Sequence, residues 1–404
     1  MTDTTASLGI ALPRFDRSDI VASLGRRLHY GSLALTVRDG QRYDFVGREP
    51  GPAAVLSVTG PGFGRRLVTG GALGFAEAYI DGICDSPDLP ALIELAARNE
   101  HAAWGGLLHG RPLARLGARL RHLARPNTRS GSRRNIAEHY DLGNDFYRLW
   151  LDPTMTYSAA LFADPDEDLA AAQRRKYARL AALAGIEAGD HVLEIGCGWG
   201  GFAEFAAAEL GCRVTGVTIS DAQHDWARRR IAEAGLAGRV DIVKRDYRDL
   251  DGRYDRIVSI EMLEAVGERY WPVYFDRLQS LLKPGGGAAL QVITIDEAYW
   301  AQYRRNADFI QRYVFPGGML PTVGKLAAQA GAAGLGWRES RAYGADYART
   351  LERWQAAFDA NWAAIADLGF DARFRRLWTY YLAYCIAGFR VGRIDVQQIG
   401  LTRS

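Results

Sequence analysis

Three textures of apolar and polar positions succeed one another along these 404 residues. Over residues 14–100 short alternating runs, Ser32–Val37 and Ala54–Val58, read as strands between Gly/Pro turns. A glycine-rich stretch, Gly70–Gly82, follows, and the pattern predicts a helix at about Pro87–Asn99. Over 101–134 Leu113, Leu116, Leu120 and Leu123 recur at three- and four-residue steps, and Arg111, Arg115 and Arg119 fall on another face. From 135 the chain opens with an aromatic-rich helical stretch with a break near Gly143, then an amphipathic helix over 167–185. Apolar runs at 191–195, 213–217, 239–243, 255–260 and 287–293 read as strands. Each but the last is followed by a helix-patterned segment. A helical insertion at about 297–330 precedes a return to the sheet near Trp337, and 394–401 reads as a final strand.

Strand–helix alternation argues for an α/β fold, a parallel sheet with helices on both faces. The chain divides into a small α+β accessory or lipid-interaction domain (1–100), a basic amphipathic linker (101–134) and a catalytic domain (135–404). An insertion beyond the fifth strand lies at the carboxyl ends of the strands, where open sheets bind ligands, so 297–330 is read as a substrate lid.

Charge changes the picture only locally. The net charge is +3, yet no acid occurs between Glu100 and Glu138 while eight arginines do. A basic amphipathic helix suits an anionic membrane surface; a linker helix packed by its leucines is the competing reading. No aromatic platform accompanies the arginines, which argues against nucleic acid. The four cysteines show no CxxC spacing, so neither a zinc site nor a disulfide framework is expected, and a reducing cytosol is. Met1–Pro13 lacks a basic n-region and is not read as a signal peptide. No apolar run is long enough to span a bilayer.

The candidate chemistry gathers at the strand ends. His191–Ile195 leads into Gly196-Cys-Gly-Trp-Gly-Gly201, with Glu194 just before the turn. Glycines let the main chain turn with positive φ and lie bare against a ligand, although a tight turn alone has the same look. Thr218 and Gln223 follow the second strand, and Asp246 and Tyr247 the third. Hydroxyl and amide groups suit the ribose or amino-acid end of S-adenosylmethionine (SAM), and an acid beside an aromatic suits adenine. Each such residue alone is more often a cap or turn residue; sites at three successive strand ends point to a ligand.

At this point the chain resembles the cyclopropane-fatty-acyl-phospholipid synthases and mycolic-acid methyltransferases. The resemblance covers about 134–404, with a weaker N-terminal match typical of the longer bacterial synthases, and rests on several ordered motifs: His139-Tyr-Asp-Leu-Gly-Asn-Asp-Phe146, Met155-Thr-Tyr-Ser158, Leu193–Gly201, Gly216-Val-Thr-Ile-Ser220, Asp246-Tyr-Arg-Asp249, Glu264-Ala-Val-Gly267, Tyr313-Val-Phe-Pro316 and Tyr384–Arg390. It implies a class I SAM-dependent methyltransferase with a Rossmann-like, mostly parallel seven-stranded sheet. It implies SAM held by Tyr157, Ser158, Gly196, Gly198, Gly200, Thr218, Gln223 and Tyr247, under an unsaturated acyl chain in an apolar tunnel. Methyl transfer to an alkene leaves a carbocation, which the site must stabilise and keep dry. Tyr140, Phe146 and Tyr313 are aromatic candidates for that role, and Glu264 for orienting a base or countering charge. Cys385 matches a position often flagged as catalytic in the family, but no neighbouring feature suggests a thiolate, and a buried structural thiol is the commoner case. Relatives use bicarbonate as base, held by a Cys, a Glu, a His, an Ile and a Tyr. Glu264, Ile295 and Tyr313 match; Ala159 and Ile293 stand where the Cys and His are expected. With fewer donors an anion is costly to hold, which argues against bicarbonate.

The resemblance implies methyl transfer to the double bond of an acyl chain, on a membrane phospholipid, by a peripheral protein on the cytoplasmic face of the inner membrane. The product is a cyclopropane or a methyl- or methylene-branched chain. A homodimer and a separate reductase are left open as partners. A methyltransferase of a soluble small molecule and a catalytically silent lipid-binding subunit are the competing functions.

Overall fold

The computed structural model describes residues 23, 25–100, 128, 131, 142–306 and 308–404. Tyr140 and nearly all of the basic 101–134 segment lie outside them.

The first unit holds β1 (Tyr30–Thr36), β2 (Arg42–Val46), β3 (Glu49–Val58), α1 (Phe63–Ile80), β4 (Cys84–Asp85) and α2 (Leu89–Arg98). Its sheet runs β2-β1-β3-β4, with β1 parallel to β3. Leu33 and Leu35 of β1 and Ala54 and Leu56 of β3 are buried, as the period of two requires. Asp88 caps α2 by accepting from the Ala91 N–H, with Pro90 in the first turn. Helix α1 occupies the glycine-rich stretch and is broken at Gly71, whose φ of 59° and ψ of −135° are not helical.

The second unit begins with α3 (Asn144–Arg148) and α4 (Leu169–Ala184), then β5 (His191–Ile195), α5 (Gly201–Glu209), β6 (Arg213–Thr218), α6 (Asp221–Glu233), β7 (Val240–Lys244) and β8 (Tyr254–Ile260). It continues through α7 (Trp271–Leu281), β9 (Leu282–Ile295), α8 (Glu297–Tyr303), α9 (Phe309–Tyr313), α10 (Val323–Ala332) and β10 (Leu335–Ala342). It closes with α11 (Gly344–Ala360), α12 (Trp362–Asp367), α13 (Ala372–Arg390) and β11 (Ile394–Arg403). The seven strands lie in the order β10-β11-β9-β8-β5-β6-β7. They are parallel except β11, which runs antiparallel to both β9 and β10. This is the class I SAM-dependent methyltransferase architecture.

Two expectations are corrected. No α-helix follows β7; a single 3-10 turn, Tyr247–Asp249, leads into β8. Strand β9 starts at Leu282, five residues before the apolar run, because Leu282 already pairs with Tyr254 across a bulge. The two units share one hydrophobic cluster, including Leu33 and Ile80 from the first and Tyr381 and Leu382 from the second. Arg376 of α13 lies 4.0 Å from the Tyr79 ring centroid and donates to the Cys84 carbonyl at 2.6 Å.

Candidate functional site

Strand β5 is central, between β6 and β8, and its end delivers the glycine turn. Gly196, Gly198 and Gly200 have φ of 83°, 51° and 84°, a region costly for any residue with a Cβ. A Cβ on Gly198 would meet nothing within 4 Å, while one on Gly200 would lie 3.1 Å from Ala227. Gly198 therefore leaves room for a ligand, and Gly200 lets α5 start against α6. Beside the turn, Glu194 is 3% exposed, and its Oε2 has no partner among the described residues. Burial raises its carboxyl well above the ordinary range, opposed by the nearby Lys176. Such an orphaned oxygen suits the cationic amino group of SAM.

The other expected cofactor residues converge on the same place. Thr218 Oγ1 donates to Gln223 Oε1 at 2.8 Å. Asp246 caps the 3-10 turn and pairs with Arg248 at 2.6 Å, and Tyr247 packs edge-on against Tyr274. Tyr157 OH meets Tyr381 OH at 2.8 Å, and Ser158 Oγ accepts from the wholly buried Lys176 at 2.6 Å. Burial pushes the Lys176 ammonium down to about 7 against the attraction of Glu261, Asp152 and Glu194. All the expected cofactor residues except Gly200 line one cavity of about 760 Å³. The donor set, the orphaned acid and the bare Gly198 fit SAM.

The cavity continues past Glu264, in the turn after β8. Glu264 Oε1 accepts from the Ile293 N–H, and Oε2 has no partner among the described residues. Burial, and then the negative charge of Glu261, push this carboxyl from 4.5 up to about 8. Glu261 sits at a positive φ of 50°, strained for a residue with a side chain. It accepts from the Ala159 N–H (2.8 Å), Gln291 Nε2 (2.7 Å) and Tyr347 OH (2.6 Å).

This arrangement does not fit bicarbonate. Where the Cys and His are replaced, the remaining donors are the amides of Ala159 and Ile293. Both are taken by protein carboxylates. Tyr313 OH donates to Glu77 Oε1 of α1 at 2.7 Å, beside the Arg312–Glu77 ion pair at 2.9 Å, and Tyr313 does not line the cavity. An added anion would also face two buried acids.

Cys385 lines the cavity, but burial drives its thiol far above the ordinary range, so it stays neutral. Phe146 is fully buried against Phe370 and Trp378 and is core rather than cavity wall. Sequence reasoning missed Glu261, Lys176 and, above all, the first unit, which contributes Leu33, Leu56, Leu67 and Leu92 to the same cavity. The alternating pattern of β1 and β3 marked Leu33 and Leu56 as buried, and nothing distinguished cavity wall from solid core. The 297–330 insertion lies where expected, with Tyr303, Phe309 and Phe315 in the wall. Among the described residues no helix is long and apolar enough to cross a membrane.

Comparison with known proteins agrees with this geometry. The family model described as mycolic acid cyclopropane synthetase matches residues 127–399. The tuberculostearic acid methyltransferase of Mycobacterium tuberculosis is 43% identical over 84% of this chain and 81% of its own. The cyclopropane-fatty-acyl-phospholipid synthase of Escherichia coli is 38% identical over 87% of this chain and 88% of its own. The crystal structure of a mycolic acid cyclopropane synthase complexed with S-adenosylhomocysteine (SAH) and CTAB superposes with a TM-score of 0.63 at 30% identity, covering 67% of this chain and 98% of that one.

Proposed function

From the premise that this chain belongs to the mycolic acid cyclopropane synthetase family of SAM-dependent methyltransferases, we propose that it methylates the double bond of an unsaturated acyl chain on a membrane phospholipid. SAM, when bound, supplies the electrophilic methyl group. The Glu194, Thr218 and Gln223 side chains and the bare Gly198 would hold its amino-acid and ribose parts. The walls beyond them are apolar and aromatic, which keeps water from a carbocation on the acyl chain. The faces of Tyr157, Tyr347 and Tyr381 stabilise that charge.

One observation carries the reading of the later steps: Glu264 has an unpaired carboxylate oxygen in the cavity wall, while the donors of an anion pocket are already used. The new C–C bond leaves the cation on the neighbouring carbon. A hydride shift moves it to the methyl-bearing carbon. Glu264 Oε2 takes a proton from the methyl group, and the C–H electrons form a methylene. A saturated branch would then need a separate reductase. Ring closure, with the same proton lost to Glu264, is the second reading, and similarity to the Escherichia coli synthase favours it. The basic 101–134 segment supports contact with anionic lipid at the cytoplasmic face.

The test incubates the protein with methyl-labelled SAM and oleoyl phospholipid vesicles. Label in the lipid extract, with methylene proton signals, supports the proposal. Cyclopropyl signals select ring closure. Label confined to water-soluble products overturns the acyl reading in favour of a soluble substrate. No label and no SAH binding point to a silent lipid-binding subunit.

A further inference from the structure

The cavity has an end that the matched family model does not include. Residues 127–399 carry that match, yet Leu33, Leu56, Phe63, Leu67 and Leu92 line the same space as the SAM residues. All five are between 2% and 6% exposed. They come from β1, β3, α1 and α2, so the sheet and the helices of the first unit supply an apolar wall to this end. This apolar wall offers no partner to an ester or a phosphate, which would lose their water against it. It suits the methyl terminus of a hydrocarbon chain.

One position in this wall has no side chain and no local reason to lack one. Phe63, Leu67 and Gly70 are four and then three residues apart, so they stand on one face of α1, and all three line the cavity. The neighbouring glycines have backbone reasons. Gly71 breaks the helix at a positive φ of 59°, and a Cβ on Gly74 would lie 2.0 Å from the Arg66 carbonyl oxygen. Gly70 has no positive φ, and a Cβ there would meet nothing within 4 Å. Neither conformation nor contact with protein demands glycine at 70. Its effect is the empty volume it leaves in the wall.

We infer that the first unit measures the acyl chain, and that Gly70 is a specificity-determining position whose missing side chain admits the hydrocarbon between the double bond and the methyl terminus. The inference rests on the acyl reading above. The double bond must sit at the transferred methyl, so the length measured is the tail beyond it. Oleoyl chains are two methylenes longer in that tail than palmitoleoyl or cis-vaccenoyl chains. The last two have equal tails but different total lengths.

The experiment mixes vesicles of oleoyl, palmitoleoyl and cis-vaccenoyl phosphatidylglycerol with labelled SAM, and compares the wild type with Gly70→Phe and Leu56→Phe. Each variant narrows this end from a different wall. The two shorter tails are expected to be retained alike, while incorporation into oleoyl falls about tenfold or more relative to them, the scale on which an apolar pocket tells chains apart by a methylene or two. SAH affinity, read by calorimetry, stays unchanged. An equal loss on all three lipids, an unchanged profile, or a split by total length overturns the inference. If the wild type labels no acyl chain at all, the acyl reading has failed instead. If Gly70→Phe does not fold, Leu56→Phe decides alone.

Discussion

Replacing Glu264 by Gln gives the sharpest test of the site. The amide keeps an oxygen for the Ile293 N–H and the volume of the side chain, and removes only the capacity to take a proton. If Glu264 is the base, turnover falls about 10²–10⁴-fold, while SAH binding, which depends on residues around Gly198, stays the same. A second effect follows from burial. The carboxyl is raised from 4.5 to about 8 in the folded protein, so between those values the folded state keeps a proton that the unfolded chain releases. The wild type therefore loses stability as pH rises from about 4.5 to about 8, and the full penalty is present above that. At roughly 1.4 kcal/mol per pH unit the difference amounts to about 5 kcal/mol. The Glu264→Gln variant carries no such penalty. Urea midpoints should then agree for the two proteins near pH 4.5, and the variant should lead increasingly up to about pH 8. Because the base must be ionised, wild-type kcat/KM for SAM should rise with pH through about 8 as well. Wild-type turnover in the variant, or a stability gap that does not change with pH, would refute the role of Glu264 and the account of its protonation.

Three further outcomes are expected. Gly198→Val places a side chain in the open space of the turn at a positive φ, and SAH affinity by calorimetry should drop more than tenfold; an unchanged affinity would remove Gly198 from the cradle. Cys385→Ala should keep turnover within about twofold, since a neutral buried thiol takes no part; a loss beyond tenfold in labelled lipid would show otherwise. Glu77→Ala leaves Tyr313 and Arg312 without their shared partner, and the urea midpoint should fall by an amount equivalent to about 1–3 kcal/mol, with no change expected if α9 is held by its apolar contacts alone.

The chain carried unequal amounts of this in readable form. Strand β5 and its glycine turn were legible to the residue, because a buried parallel strand and a positive-φ turn are both local demands on sequence. Helix α1 was not: Gly70, Gly71 and Gly74 lower its propensity, and packing against α13 and the sheet overrides them. The replacements at Ala159 and Ile293 were visible, but not that Glu261 and Glu264 accept from their amides. The Ala159–Glu261 bond spans 102 positions, and no periodicity reports on it. Lys176 fell within a helix that reads as amphipathic, where a lysine is ordinarily solvated. Its burial depends on Ser158, which the fold brings beneath it.

The grip of Arg376 on the first unit sets a boundary for protein engineering. A fragment cut at residue 127, where the family match begins, would keep every cofactor side chain. It would also uncover Tyr380, which packs at 6.1 Å from Phe75 and 5.8 Å from Tyr79, and leave the Arg376 guanidinium without the Tyr79 and Cys84 carbonyls. The portion that the family model matches is thus smaller than the portion that holds together alone. Such a fragment would present an apolar face with a stranded cation, a surface prone to self-association. Swapping catalytic parts between relatives should carry residues 25–100 along with α13, as one inherited piece.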